Sequence, residues 1–175
     1  MWGFHTNLTS DHPYKSRPYG WLFLERPVAY WYTTPRPGTA KEILAIGTPA
    51  IWWASLPALV ATAWRWVSHR DWRAATILVC FAVGYLPWFW PAGRTEFLFY
   101  ALPALPFMCL AIAFCIGLAI GPPDASIQRR RVAAGAAGTY LLAVVWNFFF
   151  LYPILAAKVI PISHWRDRIW FDNWI

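Results

Sequence analysis

Four apolar runs, each separated from the next by a short polar turn, leave this chain few ways to fold. They fall at about 48–67, 74–90, 97–120 and 132–157. At a helical rise of about 1.5 Å per residue, runs of this length match a bilayer core of about 30 Å. Trp52 and Trp53 mark one end of the first run, Trp64 and Trp66 the other, and Trp88, Phe89 and Trp90 close the second. Such positions suit the aromatic belts at a membrane surface. With 59% hydrophobic and 13% charged residues, the composition fits a membrane protein and not a soluble domain. The expected fold is therefore all-α, with four transmembrane helices spanning 48–157.

The remaining segments frame these helices. Residues 1–47 carry Pro13, Pro18, Pro27, Pro35 and Pro37, which prevent a long helix and predict an irregular, membrane-hugging loop. Within it, residues 12–21 mix rings and cations, and Trp21-Leu22-Phe23-Leu24 suits the head-group layer. Asn7-Leu8-Thr9 fits the short glycan-acceptor pattern. The opening residues lack the basic start and apolar run of a signal peptide, and the first span begins only near Thr48, so the expectation is a C-terminal piece of a longer protein. Residues 158–175 form a polar and aromatic tail. Gly117 and Gly121 either admit a close helix approach or end a helix, and residues 135–138, Gly-Ala-Ala-Gly, offer a smooth packing surface. Asn147, deep in the fourth run, is expected to make an interhelical hydrogen bond.

The net charge of +7 does not point to nucleic acid, because the basic residues sit between apolar runs and form no continuous polar face. It is assigned instead to orientation and to anionic membrane lipids. Arg65, Arg70 and Arg73 flank the first turn and Arg129, Arg130 and Arg131 the third, which places both turns in the cytoplasm and both termini outside it, at the plasma membrane. Lys41, Arg94, Lys158, Arg166 and Arg168 at the opposite ends are more thinly spread. Cys80, Cys109 and Cys115 lie inside apolar runs without CxxC spacing, indicating neither a disulfide framework nor a metal site. His5 and His12 are too far apart in an irregular segment to argue for one. No cofactor is indicated.

Chemistry concentrates at residues 91–106, Pro-Ala-Gly-Arg-Thr-Glu-Phe-Leu-Phe-Tyr-Ala-Leu-Pro-Ala-Leu-Pro. Arg94 and Glu96 lie in the short gap between two spans, where a polar head group meets the bilayer edge. Phe97 to Tyr100 re-enter the hydrocarbon, and Pro103 and Pro106 loosen the helix. Arginine grips phosphate oxygens through paired donors. Arg94 is thus the candidate to hold an anionic, lipid-linked substrate, and simple snorkelling is the alternative. Glu96 is the best-placed acid for general-base work, but pairing with Arg94 is the preferred role for it. There is no phosphate-binding glycine loop, nucleophile elbow or HExxH motif.

His12-Pro13-Tyr14-Lys15-Ser16-Arg17-Pro18 followed by Trp21, Arg26-Pro27-Val28, Trp31-Tyr32, Gly47-Thr48-Pro49 and Trp52-Trp53 resemble the start of the C-terminal membrane region of protein O-mannosyltransferases. Residues 85–88, Tyr-Leu-Pro-Trp, with Arg94 to Tyr100, Pro103 and Pro106, are similar to the bacterial, actinobacterial-type members. The resemblance covers nearly the whole chain. It implies part of a larger multi-span, inverting glycosyltransferase that moves mannose from polyprenyl-phosphate-mannose to Ser or Thr of secreted proteins. It places Arg94 near the carrier phosphate and His12, Tyr14 and Ser16 in the loop over the site, and Glu96, Tyr100 and Arg17 complete the candidate residues for binding the lipid phosphate and substrate. The family's catalytic acid belongs to an Asp-Glu pair in the N-terminal half. No such pair occurs in this chain, so no catalytic residue is assigned, and inactivity without an N-terminal half is implied. The alternative is a non-catalytic four-span subunit. A small transporter fits less well, since the spans carry almost no internal charge.

Overall fold

A computed structural model describes residues 11–90 and 94–175. His5, Asn7-Leu8-Thr9 and the first three residues of the 91–106 stretch lie outside the described residues. A short helix, α1 (Pro18–Trp21), precedes two antiparallel strands, β1 (Val28–Thr33) and β2 (Thr39–Ala45). Four long helical segments follow: α2 (Pro49–His69), α3 (Trp72–Tyr85) continued by a 3-10 turn at Leu86–Phe89, α4 (Leu105–Ile120) preceded by a 3-10 stretch at Leu98–Ala104, and α5 (Ile127–Leu155). The tail adds β3 (Ile160–Pro161), α6 (Ile162–Arg166) and a final 3-10 turn at Asp172–Trp174.

The helix ends follow local chemistry. Pro49 occupies the first turn of α2, where its missing N–H costs nothing. Arg70, in the left-handed region at φ 52°, closes α2 with its N–H on the Trp66 carbonyl. Asp71 then caps α3 by accepting from the Arg73 amide at 3.1 Å. Gly121, at φ 82°, ends α4, and Ser126 caps α5. Pro103 falls inside the 3-10 stretch, which is how the chain tolerates two prolines within this span. Gly84 lets this stretch lie close against α3: a Cβ there would meet the backbone of Pro103 and Ala104 at 3.2 Å.

Among the described residues, Trp72–Phe89, Leu98–Ile120 and Ile127–Leu155 are long and apolar enough to cross a membrane. At 21 residues, α2 is as long, but its four tryptophans, two prolines and Arg65 make it less apolar. The outward faces remain apolar, with Val60, Val79, Val83, Leu110, Leu142 and Phe149 exposed, the arrangement a lipid environment requires. Asn147 is buried and its Oδ1 accepts from the Ala50 amide at 3.1 Å, joining α5 to the start of α2. A Cβ at Gly117, Gly135 or Gly138 would touch nothing within 4 Å, so these glycines make no close helix approach within this chain.

The segment expected to be an irregular loop holds more order than its prolines suggest. Pro35 and Pro37 sit in the hairpin turn, which Gly38 completes at φ 73°, and a bulge at Tyr30 shifts the β1–β2 register. β3 extends the sheet from β2, tying the tail to the hairpin. Leu44 and Ala40 of β2 pack with Leu151 and Ile154 of α5 and with Trp165. The central cluster joins Trp21, Leu24, Trp52, Tyr85, Leu98, Met108 and Trp174.

Candidate functional site

The candidate site is built around Trp21, which is fully buried. Its ring meets Tyr85, Trp88 and Tyr100 edge-on at 6.1, 6.2 and 6.3 Å between centroids. Its Nε1 donates to Ser16 Oγ at 2.9 Å, and its carbonyl accepts from Trp52 Nε1 at 2.8 Å. Tyr85 Oη donates to the Pro18 carbonyl. Together these bonds anchor the 12–21 segment on the ends of α2 and α3.

The turn before the third span lies under that segment. The Ser16 amide donates to the Glu96 carbonyl at 2.9 Å, and the His12 ring meets Phe97 edge-on at 5.1 Å. Arg94 sits over two aromatic rings, its guanidinium carbon 5.6 Å from the centre of Trp88 and 5.5 Å from that of Tyr100. Those rings stack face to face at 4.6 Å. Such contacts hold a cation without neutralising it. Its Nε is buried and has no hydrogen-bond partner among the described residues.

Glu96 corrects one expectation. It is 1% exposed, and neither carboxylate oxygen has a hydrogen-bond partner among the described residues. The expected pairing with Arg94 is not formed, because Arg94 turns onto the Trp88–Tyr100 stack while Glu96 packs inward beneath Ser16. Burial pushes the Glu96 carboxyl above the usual range, and the nearby charges of Arg17 and Arg94 oppose this. A buried acid in this state is a poor anchor for a cation.

The sequence-derived site residues thus gather at one place. His12, Ser16, Arg17, Arg94, Glu96 and Tyr100 share the turn and the segment above it. Tyr14 lies to the side, its ring 5.3 Å from the Arg26 guanidinium. Two cations of the same face are committed to structure. Arg26 donates to the main-chain oxygens of Pro13, Asn173 and Ile175, and Arg168 to the carbonyls of Phe150 and His164. With Trp174 Nε1 on the Leu24 carbonyl at 2.8 Å, these bonds bring the tail onto the face that carries Arg94. Sequence reasoning passed over Glu42, a buried β2 carboxylate that accepts from Trp165 Nε1 at 2.6 Å. Burial raises its pKa, and the indole bond holds it partly down. Among the described residues, no group of His, Cys, Asp and Glu could hold a metal ion.

Comparison with known proteins identifies the family. Polyprenol-phosphate-mannose–protein mannosyltransferases of Mycolicibacterium smegmatis and Mycobacterium tuberculosis are 36% and 34% identical to the chain over 98% of its length. The Corynebacterium glutamicum protein of the same description is 31% identical. The chain spans about a third of those relatives, 35% of each. A structure of the Saccharomyces cerevisiae protein O-mannosyltransferase Pmt1-Pmt2 complex bound to the sugar donor superposes with a TM-score of 0.79 at 24% identity, over 99% of this chain and 25% of that one. A family model described as the C-terminal four-transmembrane region of protein O-mannosyltransferase matches residues 1–174. The chain belongs to that family.

Proposed function

We propose that this segment binds the carrier phosphate and shapes the acceptor site of an enzyme that moves mannose from polyprenyl-phosphate-mannose to Ser or Thr of secreted proteins. The observation that carries this reading is Arg94: a cation held by two stacked rings, with a buried donor that has no hydrogen-bond partner among the described residues, at the start of a span, where its charge and that of Arg17 both act on Glu96. In the transfer the sugar C1–O bond to phosphate breaks, a bond from the acceptor oxygen to C1 forms, and the hydroxyl proton passes to a carboxylate acting as base. The departing phosphate gains negative charge, which Arg94 and Arg17 stabilise more than they stabilise the intact donor. Tyr100 and Trp88 fix Arg94. His12, Tyr14 and Ser16 belong to the loop above the phosphate, and the Glu96 main chain ties that loop down.

Arg94→Ala in the full-length enzyme should lower kcat/KM for the lipid-linked donor by about tenfold or more, the worth of a hydrogen bond to a charged group, while folded yield is unchanged. Equal donor kinetics in variant and parent would return Arg94 to anchoring.

The chain's lack of an Asp-Glu pair favours a division of labour in which another part of the enzyme removes the acceptor proton. The isolated 175-residue chain, given lipid-linked mannose and an acceptor peptide, is then expected to show no transfer, and robust turnover would overturn that division. The Arg94 face is proposed to lie outside the cytoplasm, at the plasma membrane.

A further inference from the structure

The opposite end of the helix bundle carries a second concentration of positive charge. Arg65 in the last turns of α2, Arg73 in the first turn of α3 and Arg129 in the first turn of α5 line a cavity of about 570 Å³ with Phe114, Gly117, Leu118, Gly121 and Pro122. That volume falls within the range of about 300–1,000 Å³ usual for small-molecule sites.

Three guanidinium groups here face one carboxylate. Asp71 is taken up by Arg73, which donates to it through Nε at 3.0 Å and Nη2 at 2.8 Å. Arg65 Nε lies 3.6 Å from Asp71 Oδ2, an ion pair too long for a hydrogen bond, and this buried atom has no hydrogen-bond partner among the described residues. Arg129 spends Nε and Nη2 on the carbonyls of Ala119 and Leu118 at the end of α4. The cavity therefore keeps a positive excess and a buried donor that lacks an acceptor, a combination an anion completes. Phe114, Leu118 and Pro122 give it an apolar wall continuous with the span, which suits a lipid head group better than a free ion.

We propose that this cavity binds the phosphodiester head group of an anionic membrane lipid, separate from the Arg94 site. Basic pockets between transmembrane helices are suited to such head groups. The site needs no catalytic role for Arg94, so either proposal can fail alone.

The test is native mass spectrometry of the full-length enzyme with added phosphatidylglycerol or phosphatidylcholine, for the parent, Arg65→Gln and Arg65→Gln/Arg129→Gln. Phosphatidylglycerol adducts should weaken about fivefold in the single variant and more than tenfold in the double, with phosphatidylcholine unaffected. In the parent, raised salt should weaken phosphatidylglycerol retention selectively, a measurement that needs no variant to fold. Millimolar inorganic phosphate should compete poorly. Equal retention of both lipids by the parent, unchanged adducts in the variants or full displacement by inorganic phosphate would each overturn the lipid site, the last by pointing to a soluble anion.

Discussion

Glu96 shows how little a residue's type says about its state. In the sequence it reads as a partner for Arg94 two positions away. In the structure it is almost fully enclosed while its neighbour finds aromatic rings. Because burial raises its pKa, the folded state holds this proton more tightly than the unfolded chain does. The contribution to stability is therefore complete below the ordinary Glu pKa of about 4.3 and is lost as pH rises through the elevated folded value. Glu96→Gln, which cannot ionise, should remove that part of the pH dependence. Thermal unfolding of the full-length enzyme should show a shallower fall in Tm with rising pH in the variant than in the parent, and a variant at least as stable near neutrality. Parallel curves would mean that Glu96 is solvated or paired. The aromatic anchors were partly legible, since Trp21 and Trp52 stood out as interfacial. Their shared hydrogen bond, across 31 positions, carries no local pattern to read.

At the level of elements, the helices were legible because length, apolarity and terminal tryptophans all report the same physical requirement. Observed boundaries differ from the expected ones by a few residues, and α5 starts earlier because Arg129 to Arg131 form its first turn. The β1–β2 hairpin was not legible. In β2 the buried positions are Ala40, Glu42 and Leu44 while Ile43 is exposed, so a carboxylate on the inner face and an aliphatic on the outer one hide the two-residue period. In β1, Tyr30, Trp31 and Tyr32 are all exposed, which reads as membrane-surface aromatics. Asn147 was legible, since one amide in an apolar run needs a partner. Asn147→Leu removes the acceptor for the Ala50 amide and should lower stability by about 1–2 kcal/mol, measured as a fall in Tm with helical content retained. Tyr140→Phe, which loses a 3.2 Å bond to the Ala50 carbonyl, should cost less. No change in Asn147→Leu would mean that water satisfies the start of α2.

Across the whole molecule, two ends of one bundle carry different chemistry, and the topology makes them inseparable. α2 enters at the face holding Trp21 and the tail, and ends at Arg65. α3 starts there and returns to Trp88, while α4 descends from the Arg94 turn to Gly121, beside which α5 begins at Arg129. An even number of crossings puts the hairpin and the tail on one side, where β3 and Arg26 join them. If the dense arginine clusters orient the bundle, the turns at 70–71 and 121–126 face the cytoplasm. Single cysteines introduced at Arg36 and Asp167 in the full-length enzyme should then react with a membrane-impermeant maleimide in intact cells. One at Asp124 should react only after permeabilisation. Cys80, Cys109 and Cys115 lie within the apolar α3 and α4, and labelling is read against the parent without an introduced cysteine. The two sets must move together, because a span that failed to cross would split the hairpin from the tail and break the β2–β3 pairing. Labelling of Asp124→Cys in intact cells, with protection of the other two, would invert the assignment and place the Arg94 site on the cytoplasmic side.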